Sequence, residues 1–358
     1  LFIWLDRPKR RLRLTWCLKP KLLGGEVPSS PLLFLYNRRN KMGWSSYPNG
    51  WAGGVLVKDM PINSLHPGKI FWVNNSGVLP GGGIGGSDGN PGTYLKPFST
   101  IDYAIGKCKA NRGDIIAVAA GHAENLASDG AIACDVAGVA IVGLGSGTKR
   151  PTLSFITSAA AAMTVSADNV TLHNILFNAN VADVTNAIDV TAANLTVSRC
   201  EFKEAGADLN FVDYIHASST TDNTADGITV VDSVGTAVDA AQNSFVMTAA
   251  DIDRPWFEGN FYSSDHANTL AFYKVTDGKT TTDVMIKKNY MYTGATGDVG
   301  GIADGNQTDN TGMVIGNRLG HHDTSGEVLC DLDGVRQFDN LGTATDTASG
   351  YVLPAIDS

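Results

Sequence analysis

Val170-Thr171-Leu172-His173-Asn174-Ile175, Leu195-Thr196-Val197-Ser198-Arg199-Cys200 and Ile228-Thr229-Val230-Val231-Asp232-Ser233 share one pattern. Each is apolar, Thr, apolar, then polar residues and a small or apolar one. Looser copies precede them at residues 115–118 and 139–144, and others follow at 256–261, 285–290 and 313–317. The central apolar residues are Ile116, Ile141, Leu172, Val197, Val230, Phe257, Ile286 and Val314, at steps of 25, 31, 25, 33, 27, 29 and 28 residues. Strands this short cannot bury their inward side chains alone. Stacked coil on coil they can, with one row of side chains per face. The unequal steps fit insertions that leave at the corners of a solenoid.

Leucine-rich and ankyrin repeats have similar periods, but they need a helix or a fixed Leu/Asn consensus in each unit. No i, i+3, i+4 stripe occurs within these units. Thr, Val, Ile, Asn and Asp dominate, which suits strands and tight turns. The expectation is an all-β chain: a parallel β-helix of about eight coils, roughly 40 Å long at about 4.8 Å per coil. Asn260, Asn289 and Asn317 fall at nearly one phase. They either stack as an amide ladder or simply serve as turn residues.

Ahead of the first coil, Ile101, Ala104, Ile105 and Cys108 form an apolar helical stripe behind Ser99 and Asp102, a capping-box-like pair. A helix near 98–109 would cover the open first coil, whose edge otherwise invites pairing with other chains. Residues 86–93, Pro97-Phe98-Ser99-Thr100-Ile101, Gly113-Asp114-Ile115-Ile116-Ala117-Val118 and Gly121-His122-Ala123-Glu124 resemble the entry of right-handed parallel β-helix, or pectin-lyase-like, proteins. The likeness holds over residues 86–125 and continues as a pattern to about 320. It implies a right-handed solenoid capped by a helix. Residues 42–51 and His66-Pro67-Gly68-Lys69-Ile70-Phe71-Trp72-Val73 are similar to the opening of phage particle proteins with this fold. That implies a virion location and, as is common for viral β-helix proteins, a trimer.

Polygalacturonases of the family carry Asn-Thr-Asp, Asp-Asp, Gly-His-Gly and Arg-Ile-Lys segments, none of which is complete here. His122 is followed by Ala123, and the chain has no Asp-Asp pair. The Trp-Ile-Asp-His segment of the lyases is also missing. The best remaining acidic constellation is Asp251, Asp253 and Glu258, with Asp283 one coil later. Two carboxylates about 5–10 Å apart can cleave a glycosidic bond; the alternative is that these residues solvate turns. In His321-His322-Asp323, adjacent strand residues point to opposite faces and do not easily share an ion. Asp298, Asp304 and Asp309 lack EF-hand spacing. Residues 81–86 contain GxGxxG, but Ser-Asp-Gly-Asn-Pro-Gly follows and cannot open a dinucleotide-binding helix; the stretch reads as a flexible linker. Asn74, Asn169, Asn194 and Asn306 stand in Asn-x-Ser/Thr sequences. No cofactor or metal is expected.

The five Cys (17, 108, 134, 200 and 330) are scattered and form no CxxC pair, which excludes a disulfide scaffold and a structural zinc. No apolar run approaches the roughly 18 residues of a membrane span. Residues 1–41 hold ten Lys and Arg against two Asp and Glu, and residues 42–358 hold 17 against 34. An acidic body disfavours nucleic acid. The basic head shows neither helical nor strand periodicity. It reads as a nucleic-acid or acidic-partner arm, a targeting segment, or sequence upstream of a true start at Met42. The expected organisation is a basic segment (1–41), an attachment segment with a Gly-rich linker (42–85), the solenoid (86–340) and a tail (341–358). Trp44, Tyr47, Trp51, Phe71 and Trp72 either anchor the attachment segment to a partner or pack internally. The function these features favour is a non-catalytic virion structural protein, decorating the head or associated with the tail, that binds other virion proteins. The alternatives are a tailspike-type polysaccharide depolymerase and an adhesin for a surface glycan.

Overall fold

A computed structural model describes residues 68–75, 83–206, 208–217, 221–238, 244–264, 271–293, 301–305, 309–321 and 330–344. It also describes the strands Phe2–Leu5, Leu12–Thr15, Val55–Val57, Met60–Ile62 and Ala348–Tyr351. The chain divides into two units, Leu1–Gly43 and Trp44–Ser358. The first contains an antiparallel pair, Phe2–Leu5 with Leu12–Thr15. Strands were not expected in the head; four residues are too few for a period to show, though Phe, Ile and Trp favour extended backbone.

The second unit holds a parallel β-solenoid of three sheets, with strands of ten, ten and eight members. Each coil lays one strand in sheet 1, one in sheet 2 and one in sheet 3. The eight strands of sheet 3 therefore mark eight coils, and a ninth begins with Arg336–Phe338 and Leu341–Ala344. Sheet 1 stacks the residues that the repeat singles out. Ile116 pairs with Ile141, then Leu172, Val197, Val230, Phe257, Ile286 and Val314 follow in unbroken register. All eight are fully buried. At about 25 cal/mol per Å², burying each such side chain contributes roughly 1.5–3 kcal/mol.

Sheet 1 ends at a two-residue corner whose first residue is left-handed in successive coils: Asn174, Arg199, Asp232, Gly259, Lys288, Gly316 and Asp339, with φ between +49° and +71°. The second corner residue is Ser233, Asn260, Asn289, Asn317 and Asn340 in the last five coils. The Nδ2 of Asn260, Asn289 and Asn317 donates to Oδ1 of the next Asn at 2.9, 3.1 and 3.0 Å. Each Oδ1 also accepts the backbone N–H of the residue one coil earlier. All four Asn are buried, so the amide ladder exists, and Asn340 extends it by one rung beyond the sequence expectation.

Inside, aromatic rings run along the axis. Phe177 stacks on Phe202 at 4.9 Å, and Phe202 on Tyr214 at 5.1 Å. Gly235 succeeds Phe202 in register. A Cβ there would lie 2.5 Å from the Tyr214 ring and 2.8 Å from Phe245. Only glycine leaves space for the Tyr214 ring to lean across its row.

Several boundaries differ from expectation. Ile70–Val73 pairs with Ile115–Val118, so sheet 1 starts before residue 86. Leu341–Ala344 continues sheet 2 and pairs with Ala348–Tyr351, so residues past 340 also belong to it. Gly86 is packed where a Cβ would meet the Asn74 carbonyl, and Ile84 N–H bonds to the Leu95 carbonyl at 2.9 Å; residues 83–86 are wedged structure, not a flexible linker. The capping helix is only Ile101–Ile105. Its cap is Thr100, whose Oγ1 accepts Tyr103 N–H at 3.3 Å, not Ser99. Asp88 holds the N–H of both Ser99 and Thr100 at 2.9 and 3.2 Å, which places Ser99 before the helix. Asp102 Oδ1 accepts Ala133 N–H at 3.0 Å instead of folding back on the cap. Ile101, Ala104 and Ile105 are buried in the core, as the stripe requires.

Candidate functional site

The predicted carboxylates hold coils together. Ile252–Asp253 pairs with Thr281–Thr282 of the next coil. Asp251 Oδ1 accepts Thr280 N–H at 2.9 Å, while Asp251 N–H donates to Asp222 Oδ1 at 3.1 Å. Asp253 Oδ1 accepts the Thr282 hydroxyl, while Asp253 N–H donates to Asp226 Oδ1 at 2.9 Å. Each aspartate thus receives a donor from the coil above and sends its own N–H to the coil below. Asp283 sits at a left-handed corner, φ +53°, one column with Asn169, Asn194, Gly227 and Arg254. Asn and Asp tolerate that conformation best among residues with a Cβ, which accounts for the Asn of two Asn-x-Thr/Ser sequences.

Glu258 stands on the outer face of sheet 1. Lys287 of the next coil reaches it at 3.0 Å, and its hydrogen bond holds the carboxyl below the usual glutamate range. The same Lys287 lies over the Trp256 ring at 5.8 Å. The carboxylates of Asp251, Asp253 and Glu258 are engaged with the next coil, and Asp283 donates its N–H to Thr311 Oγ1 at 2.9 Å from its corner. His122 is buried, takes Asn75 N–H on Nδ1 at 3.1 Å and meets Glu124 at 3.0 Å through Nε2; it ties the first coils together. His321 ends a sheet 2 strand; His322 and Asp323 lie outside the described residues. Among the described residues no group of three His, Cys, Asp or Glu is placed to hold a metal ion.

Of the proposed anchors, Phe71 packs against the core and meets Phe98 at 5.8 Å, and Trp72 meets Tyr94 edge-on at 5.0 Å. Both contact rings of this chain and stay partly exposed. Trp44, Tyr47 and Trp51 lie outside the described residues.

Two surfaces were not foreseen. The first is apolar. Eight of the ten large apolar side chains exposed among the described residues fall in coils five to nine. On sheet 1 the outward column changes from Thr171, Thr196 and Thr229 to Trp256, Met285 and Met313. On sheet 2, across the asparagine corner, Val234, Phe261, Tyr290 and Arg318 form a parallel column. Arg318 lies over the Tyr290 ring at 6.0 Å.

The second surface is the outer side of sheet 3 in coils three to five. Asn186, Asp213 and Ser244 pair in one row, and Asp189, His216 and Met247 in the next. Tyr214 and Ile215 are both fully buried; the strand bends there and turns Asp213 and His216 to the same side. Asn186 Nδ2 meets His216 Nδ1 at 3.3 Å and joins the rows. Asp213 is buried and accepts Ser244 N–H at 3.3 Å. Burial pushes its carboxyl up to about 7 despite that bond. Burial also lowers the His216 imidazole, partly opposed by Asp189. Ser244 Oγ and Asp189 Oδ1 are buried without hydrogen-bond partners. A carboxyl raised by burial to about 7, an imidazole lowered by burial and two unanswered polar atoms on one face make a cluster with acid–base capacity. In sequence, Asp213 reads as an ordinary polar residue of the strand Phe211–Ala217.

No family model matches the chain, and no curated protein matches it. Among solved structures, a rhamnogalacturonan lyase aligns at 11% identity and a TM-score of 0.35, over 77% of this chain and 74% of that one. The continuous parallel register of the three sheets is what establishes the fold: a parallel β-solenoid.

Proposed function

We propose that the chain is a non-catalytic structural solenoid of a virus particle, on the head or the tail, that binds other particle proteins and assembles with copies of itself. One observation carries the non-catalytic reading: Asp251 and Asp253 are spent on coil-to-coil hydrogen bonds and Glu258 on Lys287. The particle setting rests on the sequence likeness at residues 42–73. Exposed apolar columns support docking, since patches beyond a few hundred Å² are uncommon on soluble monomers. The test incubates purified protein with host surface polysaccharide and follows chain length and reducing ends. Unchanged polymer is expected. Cleavage lost in Asp251→Asn, Asp253→Asn or Glu258→Gln would refute the reading.

The sheet 3 cluster favours a second reading, a polysaccharide depolymerase. A carboxyl that keeps its proton to about pH 7 is suited to protonate a leaving oxygen. Asp189 lies one coil away and three residues along, a backbone separation of order 10 Å, compatible with a two-carboxyl mechanism. In the same assay, cleavage that disappears in Asp213→Asn and in Asp189→Asn would establish it.

A further inference from the structure

We infer that the outer face of sheet 2 in coils six to eight binds an anionic saccharide through Lys288, Tyr290, Tyr292 and Arg318. Coil seven stands as a ridge there. It presents Lys288 at the corner and Tyr290 and Tyr292 on the strand, while Asn289 and Met291 between them are buried. The coils on either side are low at the same positions. Tyr292 pairs with Ser263 of coil six and with Gly320 of coil eight. Lys288 follows Gly259 and precedes Gly316 in the corner column. The half-exposed Tyr292 ring therefore stands between two small residues, each one coil spacing of about 4.8 Å away. At the middle position the neighbours of Tyr290 are Phe261 and Arg318, and the Arg318 guanidinium lies over the Tyr290 ring at 6.0 Å.

Charge and size together select the ligand. Residues 42–358 hold 34 acidic against 17 basic side chains. The outward and corner positions of this sheet in coils six to eight reverse that balance, with Lys288 and Arg318 and no carboxylate. The corner carboxylates Asp232 and Asp339 lie two coils from Lys288, roughly 10 Å, and Glu258 is paired with Lys287 at 3.0 Å. A guanidinium offers a planar fork of donors that matches a carboxylate. A tyrosine ring offers a flat apolar face with a hydroxyl at its rim. A sugar acid presents the complement: a ring face of C–H groups, hydroxyls around it and one carboxylate per ring. Phe261, Tyr290 and Tyr292, 44–50% exposed, leave roughly 300 Å² open. That is well short of the about 800 Å² per partner of a protein contact and enough for a few pyranose rings. The strands of sheet 2 are paired on both sides through these coils, so a peptide strand has no edge to join. The site lies on a different sheet from the Asp213 cluster and involves no bond cleavage, so it is compatible with either function above.

Calorimetric titration of the full chain with three probes provides the test: a β-linked mannuronate hexamer, the mannose hexamer of the same linkage, and hexaglutamate. The first differs from the second by its carboxylates and shares with the third only its charge. The mannuronate hexamer is expected to bind about tenfold or more tightly than either of the others. Tyr292→Ala and Arg318→Gln are each expected to weaken it by about tenfold at an unchanged melting temperature. If Tyr292→Ala melts early, Arg318→Gln alone decides, because it leaves the ring packing in place. Three results overturn the inference: no binding of the mannuronate hexamer at millimolar concentration, equal binding of the mannose hexamer or of hexaglutamate, and undiminished binding in a folded variant.

Discussion

Replacing Asp213 by Asn keeps the shape of the side chain and its acceptor for Ser244 N–H but removes the ionisable proton. Unfolded, the Asp213 carboxyl loses its proton near its ordinary 3.8; folded, it keeps it to about 7. Between those values the folded chain binds more protons at this site than the unfolded chain. The contribution of Asp213 to stability therefore falls as pH rises through that window, and it is constant below about 3.8 and above about 7. The window spans about 3 pH units, at about 1.4 kcal/mol each. Asp213 thus destabilises the fold by about 4 kcal/mol at pH 8 relative to pH 3.5. Urea unfolding of parent and Asp213→Asn at several pH values isolates this effect, because every other titrating group is common to both. The stability of the variant relative to the parent should rise by about 4 kcal/mol across the window. A flat difference would show that Asp213 ionises like an exposed aspartate, and the acid–base reading of the sheet 3 face would fall with it.

Leu172→Asp or Val197→Asp places a charge in the fully buried sheet 1 row and should destabilise by several kcal/mol; a mutant that melts like the parent would contradict the register. Asn289→Leu removes the acceptor of Asn260 N–H and Nδ2 and the donor to the Phe257 carbonyl. Asn260 Nδ2 keeps the Val230 carbonyl, so two buried groups are orphaned; at about 1–3 kcal/mol each, a loss of roughly 2–6 kcal/mol is expected in chemical unfolding, and a loss below about 1 kcal/mol would mean that water replaces the ladder.

The solenoid was legible because its signal is repeated. Eight central residues chosen from the sequence fall in one structural row, since strand residues that stack in register share one burial constraint. The ladder was legible for Asn260, Asn289 and Asn317 for the same reason. Asn340 was missed because its strand, Arg336–Phe338, has Gln337 where the earlier coils carry their central apolar residue. The helix was overestimated because Cys108 fits the stripe, while the chain leaves the helix at Gly106. Functional residues were harder to read. Asp251 and Asp253 look like a catalytic pair until the partners from adjacent coils are known, and those lie 29 residues away. Asp213 looks unremarkable until the bend at Tyr214–Ile215 and the burial of its face are known. Both are consequences of contacts between coils, and the composition within a coil does not encode them.

The asparagine corner makes the last coils interchangeable. Ser233 N–H donates to Asn260 Oδ1 as Asn260 N–H donates to Asn289 Oδ1, and the residue before each Asn is left-handed at Gly259 and Lys288. Excising residues 260–288, one whole period, would join Gly259 to Asn289 and present Ser233 with the same oxygen in the same place. The seam is chemically silent at this corner. Length in this molecule is therefore a quantity that sequence can change in steps of one coil, by duplication or loss, without inventing a new junction.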